Sequence, residues 1–127
     1  MSDSCDILLI EDSPSQALQL QLVLQRAGYC VRVVSDGAEG WRIACEDTAP
    51  KLILLDLDLP SLDGFQILAR LKRGRATAQI PIVMLTHREH VSNVLQALDL
   101  GADDYLPKPD AATQLLTVVE QFLVKSE

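Results

Sequence analysis

Short apolar runs alternate along this chain with longer amphipathic stretches. "DILLI" (6–10) carries an uninterrupted apolar run, the pattern of a strand buried on both faces. Ser13-Pro14 then predicts a helix start: a hydroxyl to cap it, a proline suited to the first turn, and Gln16 to complete a capping box. Ala17, Leu20, Leu24 and Ala27 recur at helical spacing as its inward stripe, and Gly28 supplies the stop. "CVRVV" (30–34) is a second strand, and Asp36 and Glu39 cap a helix carrying Ala38, Trp41 and Cys45. "KLILLD" (51–56) is the third strand, followed by a helix from about Gly64 to Lys72. "IPIVMLT" (80–86) is the fourth. Val91, Val94, Leu95 and Leu98 share one face of the next helix, which Gly101 closes. "DYLP" (104–107) is a short fifth strand, and Asp110 caps a last helix with Leu115, Val118, Val119 and Phe122 inward.

Five strands alternating with five helices predict an α/β domain with a parallel sheet covered on both faces and right-handed crossovers. In such sheets the ligand site lies beyond the carboxyl ends of the strands. That edge gathers the polar residues that end the apolar runs: Glu11-Asp12, Asp56, Thr86-His87 and Pro107-Lys108.

The stretch "LILLDLDLPSLDG" (52–64) sharpens the picture, because it sets Asp56, Asp58 and Asp63 among leucines. Carboxylates are costly to bury and gather in an apolar setting where a metal, a hydrogen-bond network or catalysis holds them. Any one of these residues is explained by helix capping. Three carboxylates from two strand ends, with a lysine from a third, are not. Crowded carboxylates repel unless a cation shares them. Hard oxygen donors select Mg2+, which suits phosphoryl groups. The constellation therefore predicts a magnesium site beside a group that handles phosphate.

Composition narrows the classes. The 127 residues suffice for one domain with a real core, and 48% hydrophobic residues argue against disorder. A net charge of −7 opposes direct binding of nucleic acid or of acidic lipid surfaces. Cys5, Cys30 and Cys45 lack metal-site spacing and read as free thiols of a reducing cytoplasm, with Cys30 expected to pack in its apolar stretch. No apolar run is long enough to span a membrane, and "MSDSCD" has no signal pattern.

Taken together, "ILLIEDSP", "LILLDLDLPSLDG", "IPIVMLT" and "GADDYLPKP", in this order and spacing, resemble the receiver domain of bacterial two-component response regulators. The resemblance spans nearly the whole chain as one receiver, 1–127, with no effector domain within these residues. It implies a single doubly wound (βα)5 flavodoxin-like fold with strand order 2-1-3-4-5. It also implies a signalling phospho-acceptor, with self-catalysed phosphotransfer and autodephosphorylation, rather than a turnover enzyme. Asp56 would be the nucleophile, taking a phosphoryl group from a histidine kinase or phosphotransfer protein as an acyl phosphate. Asp12 would bind Mg2+ directly, Glu11 through water, and Asp56 and the backbone carbonyl of Asp58 would complete the protein ligands. Thr86 and Lys108 match the hydroxyl and the ammonium that hold phosphoryl oxygens. Lys108 is expected to be unpaired before phosphorylation, so that its removal costs little stability. Lys108-Pro109 matches a bond that is cis in the family. Thr86 and Tyr105 match the switch pair that alters the face of helix 4, strand 5 and helix 5, where a downstream protein target would bind.

Several residues depart from the family pattern: His87 in place of a small residue, Asp58 two residues after the acceptor, and Asp110 after Lys108-Pro109. They bear on the rate and lifetime of phosphorylation. Arg70, Lys72, Arg73 and Arg75 are expected to complement the third helix's dipole and stay solvated. His90 is expected at the surface and Trp41 in the core. "DLDL" also resembles the D-x-D motif of haloacid-dehalogenase-type phosphatases, with Asp56 as nucleophile and Asp58 as acid/base. Against it, the motif follows the third strand, and Glu11-Asp12 would have no role. A receiver-like module that binds partners without phosphorylation is a third alternative, opposed by the intact acidic pair, acceptor, hydroxyl and lysine.

Overall fold

The computed structural model describes residues 5–46, 49–57, 64–87, 91–108 and 111–123, with 87, 91–93 and 111 described in backbone alone. The elements alternate without exception: β1 (Ile7–Ile10), α1 (Pro14–Arg26), β2 (Val31–Val34), α2 (Gly37–Ala44), β3 (Leu52–Asp56), α3 (Gly64–Arg73), β4 (Ile82–His87), α4 (Val91–Asp99), β5 (Asp104–Lys108) and α5 (Ala111–Phe122). The strands form one sheet in the order β2-β1-β3-β4-β5, every pairing parallel. This is the doubly wound order expected of the chain.

Side-chain alternation explains why the central strands read as unbroken apolar runs. Ile7 and Leu9 of β1, Leu52 and Leu54 of β3, and Val83 and Leu85 of β4 pack under α1 and α5. Leu8, Ile10, Ile53, Leu55, Ile82 and Met84 point the other way, under α2, α3 and α4. All twelve are inaccessible to solvent, so truncating one of the leucines or isoleucines, or Met84, to alanine costs about 2–5 kcal/mol. The strand bounds move by a residue or two from the expected ones. Ile80 and Pro81 stand before β4, because proline has no N–H for the ladder; its carbonyl still accepts from Ile53 N at 3.0 Å.

The helices keep their expected places but not all their expected faces. Ser13 caps α1, its hydroxyl accepting from Gln16 N at 3.5 Å, and Gly28 ends the turn at φ +97°. The capping box does not close through Gln16. The Ser13 N–H donates to Glu11 Oε2 at 3.3 Å, a carboxylate two residues away serving in place of a neutral amide.

Asp36 caps α2, but the residues turned inward are Gly37, Gly40, Ile43 and Ala44. Ala38 and Cys45 are exposed, and Trp41 lies partly buried against the core. The reason is close approach: a methyl at Gly40 would overlap the Ile10 side chain, so glycines face the sheet where larger apolar residues were expected. On α4, Val94 and Ala97 face the sheet, whereas Leu95 is 68% and Leu98 40% exposed. Cys30 is exposed as well; it precedes β2, and Cys5 is the buried thiol.

Lys72 is not solvated with its basic neighbours. Its ammonium donates to Ile80 O at 3.0 Å and pairs with Asp103 Oδ2 at 3.2 Å. The same carboxylate oxygen accepts from Ile82 N at 2.8 Å, so the end of α3 is tied to the starts of β4 and β5. Arg70, Arg73 and Arg75 are exposed, as expected.

Candidate functional site

The carboxyl ends of β1, β3, β4 and β5 meet on one edge of the sheet. β1 pairs with β3 through Ile10↔Leu55, which carries Glu11 and Asp56 to the same level on neighbouring strands. β4 pairs with β5 through Thr86↔Pro107 and His87↔Lys108. Four polar residues here are buried: Glu11, Asp56, Thr86 and Lys108. Asp12 stays exposed beside them.

Lys108 links the ends of the sheet. Its Nζ lies 2.9 Å from Glu11 Oε1 and 3.2 Å from Asp56 Oδ1. The expectation of an unpaired ammonium is therefore corrected. In an apolar setting a lone ammonium would keep its full desolvation cost, and two adjacent carboxylates offset it. Burial pulls the Lys108 pKa down, but the Glu11 hydrogen bond and the charges of Asp56 and Glu11 outweigh it and hold the ammonium above the ordinary lysine range.

Glu11 responds differently. Burial first, and then the adjoining Asp56 carboxyl, push Glu11 up to about 7, against the lowering pull of Lys108. One ammonium cannot neutralise two crowded carboxylates, and Glu11 stands near its titration point at neutral pH. The Ser13 backbone N–H adds a donor to Glu11 Oε2. Ser13 thus serves both the helix cap and the Glu11 carboxyl, and its place two residues after Glu11 is the sequence signal of the second role.

Glu11, Asp12 and Asp56 each offer an oxygen, and these oxygens lie within 4.8 Å of one another. Three hard donors this close fit a divalent cation such as Mg2+, and the exposed side at Asp12 leaves room for the waters it retains. The structure thus brings together Glu11, Asp12, Asp56, Thr86 and Lys108. Tyr105 lies apart on β5, 39% exposed. Asp58, Pro109, Asp110 and His90 lie outside the described residues, as does the side chain of His87. The contribution of the Asp58 carbonyl, the Lys108-Pro109 bond, the Asp110 cap and the His87 ring therefore stand as expectations.

No helix among the described residues is long and apolar enough to cross a membrane. The phosphatase alternative fits poorly: Asp56 ends β3, and Glu11 and Lys108 are committed to the same site.

Comparison with known proteins agrees with this fold. RpaA of Synechocystis, a DNA-binding dual master transcriptional regulator, is 40% identical over 121 residues, covering 95% of this chain and 50% of its own. The chain thus spans about half the length of the curated relatives it matches. Among solved structures, the chemotaxis response regulator CheY4 of Vibrio cholerae superposes with a TM-score of 0.85 at 27% identity, covering 94% of this chain and 99% of that one. The receiver domain of the sensor histidine kinase PA1611 of Pseudomonas aeruginosa gives 0.83 at 29% identity, covering 94% and 97%. That structure holds a magnesium ion coordinated in its active-site cleft. The response regulator receiver domain family matches residues 7–120. That match covers most of a chain whose parallel sheet runs 2-1-3-4-5: the chain belongs to the response regulator receiver domain family.

Proposed function

We propose that this chain accepts a phosphoryl group on Asp56 in a Mg2+-dependent reaction, and that phosphorylation alters the α4–β5–α5 face. The observation that carries the proposal is the placement of a buried carboxylate, Asp56, between a lysine ammonium and two further acids.

Glu11, Asp12 and Asp56 are the residues that would hold Mg2+. Bound there, the ion supplies positive charge to offset that of the acids and of the transferring phosphoryl group. The protein's own residues divide the remaining work. Asp56 Oδ attacks phosphorus, a P–O bond forms, and the bond to the donor atom breaks. Lys108, already within 3.2 Å of Asp56, turns its charge to a phosphoryl oxygen. Thr86, at the end of β4, offers a hydroxyl to another. Lys108 stands on a strand already beside Asp56, so its ammonium needs little reorganisation during the transfer.

The donor would be the phosphohistidine of a histidine kinase or phosphotransfer protein. A downstream protein would read the face that carries Leu95, Leu98 and Tyr105, all exposed. Movement of Thr86 toward the phosphoryl group would make room for Tyr105 to turn inward, a shift between two packings.

A stoichiometry experiment tests this reading. With acetyl phosphate and Mg2+, the chain should take up one equivalent and then release phosphate slowly. Rapid multiple turnover of p-nitrophenyl phosphate would point to a phosphatase instead.

A further inference from the structure

The first residue of α3 is pressed against the acceptor strand. Gly64 N donates to Leu57 O at 3.3 Å. A Cβ on Gly64 would stand 2.6 Å from Leu57 Cα, 2.8 Å from Asp56 O and 2.9 Å from Leu57 O. Every one of these neighbours is backbone, and all belong to Asp56, which ends β3, and to Leu57, which follows it.

That backbone has little freedom to retreat. Asp56 pairs with Leu85 across the sheet, and Leu57 N donates to Leu85 O at 3.0 Å. Gly64 is equally fixed from its own side, because Ile67, Leu68 and Leu71 bury the inner face of α3. Nor is glycine required for its conformational freedom here. Among the described residues, positive φ occurs only at Gly28 and Gly101. What position 64 uses is the absence of a side chain.

We infer that Gly64 is a positioning residue for Asp56: by letting α3 bear directly on the Asp56–Leu57 backbone, it sets the acceptor carboxylate against Glu11, Asp12 and Lys108. The inference rests on the proposed function only in taking Asp56 as the acceptor. Its physical content is the placement of one carboxylate. Asp56 contributes both to the acidic cluster and to the Lys108 pair, so a shift of its backbone changes both at once. A displacement of about 1 Å can cost on the order of a hundredfold in rate when reacting groups must be aligned.

Gly74 provides a control at the other end of the same helix. A Cβ there would stand 2.6 Å from Thr77 Oγ1, the side-chain hydroxyl of a buried residue away from the acidic edge. The experiment compares Gly64→Ala with Gly74→Ala and wild type. Three quantities are measured: thermal midpoint, Mg2+ dissociation constant by calorimetry, and labelling rate with acetyl phosphate at saturating Mg2+. Gly64→Ala is expected to weaken Mg2+ binding about fivefold or more and to slow labelling about tenfold or more. Gly74→Ala is expected to lower the thermal midpoint while leaving both site measurements within about twofold of wild type. The inference is overturned if Gly64→Ala keeps Mg2+ affinity and labelling within that range, or if Gly74→Ala loses them equally. If Gly64→Ala is unfolded in plain buffer, the same comparison is made for all three proteins in trimethylamine N-oxide, which favours the compact state. The Mg2+ measurement needs no phosphodonor. Failure of wild type to label would thus count against the proposed function and not against the role of Gly64.

Discussion

Lys108 Nζ sits 2.9 Å from Glu11 Oε1 and 3.2 Å from Asp56 Oδ1, so a cation from the edge strand β5 joins carboxyl groups at the ends of β1 and β3. The ammonium is therefore a structural member of the unphosphorylated site as well as a group available to a phosphoryl oxygen.

Removing it should be felt in the resting protein. Lys108→Ala leaves Glu11 and Asp56 crowded and buried without their shared cation. A loss of about 3 kcal/mol is expected at pH 8 without Mg2+, by analogy with other broken buried pairs. Adding Mg2+ should recover part of it, since the ion supplies the missing charge. Denaturant titration with and without Mg2+ checks this; a variant as stable as wild type in both conditions would show that the ion pair contributes nothing.

Glu11 gives the metal-free protein a pH dependence. Its folded pKa is raised from 4.5 to about 7, so between those values the folded chain holds a proton that the unfolded chain has released. Stability must then fall as pH rises through this window, by at most about 3 kcal/mol from this group. Glu11→Gln should flatten that slope. Denaturation midpoints between pH 5 and 8 in chelator measure it, and an unchanged slope in the variant would assign the effect elsewhere.

Mg2+ binding should separate the two neighbouring acids. Asp12 is exposed beside the cluster, whereas Glu11 is buried and engaged by Lys108 and the Ser13 N–H. Asp12→Ala is expected to weaken Mg2+ at least about tenfold, and Glu11→Ala less, because a direct ligand matters more than one acting through water. Calorimetric titration decides; equal losses would mean that both acids touch the ion.

The switch makes a prediction about tyrosine exposure. The chain has two tyrosines, of which Tyr105 is 39% and Tyr29 8% exposed. Acetyl phosphate with Mg2+ should reduce the accessibility of Tyr105, read by photochemically induced nuclear polarisation, while Tyr29 stays dark in both states. Thr86→Ala should abolish the change. An unaltered Tyr105 signal in fully labelled protein would remove it from the switch.

The fold, and the gathering of Glu11, Asp12, Asp56, Thr86 and Lys108 at one edge of the sheet, were readable in the sequence because both rest on strong, local patterns. Strands buried on two faces cannot carry polar residues until they end, so Glu11, Asp56 and Thr86 mark strand termini by themselves. Helix faces were harder. On α2 the inward residues include Gly37 and Gly40, which an apolar pattern does not register, and on α4 the larger leucines face out while Ala97 faces in. Pairings across long sequence separations were harder still. Nothing near Lys72 announces Asp103, and nothing near Lys108 announces Glu11; only the sheet order brings them together.

Intact-mass measurement tests the central claim most directly. Wild type and Asp56→Asn are incubated with acetyl phosphate, each with Mg2+ and with chelator. The account predicts one added phosphoryl group on wild type with Mg2+, and none in the other three samples. Equal labelling of Asp56→Asn, or labelling of wild type that is indifferent to Mg2+, would contradict it.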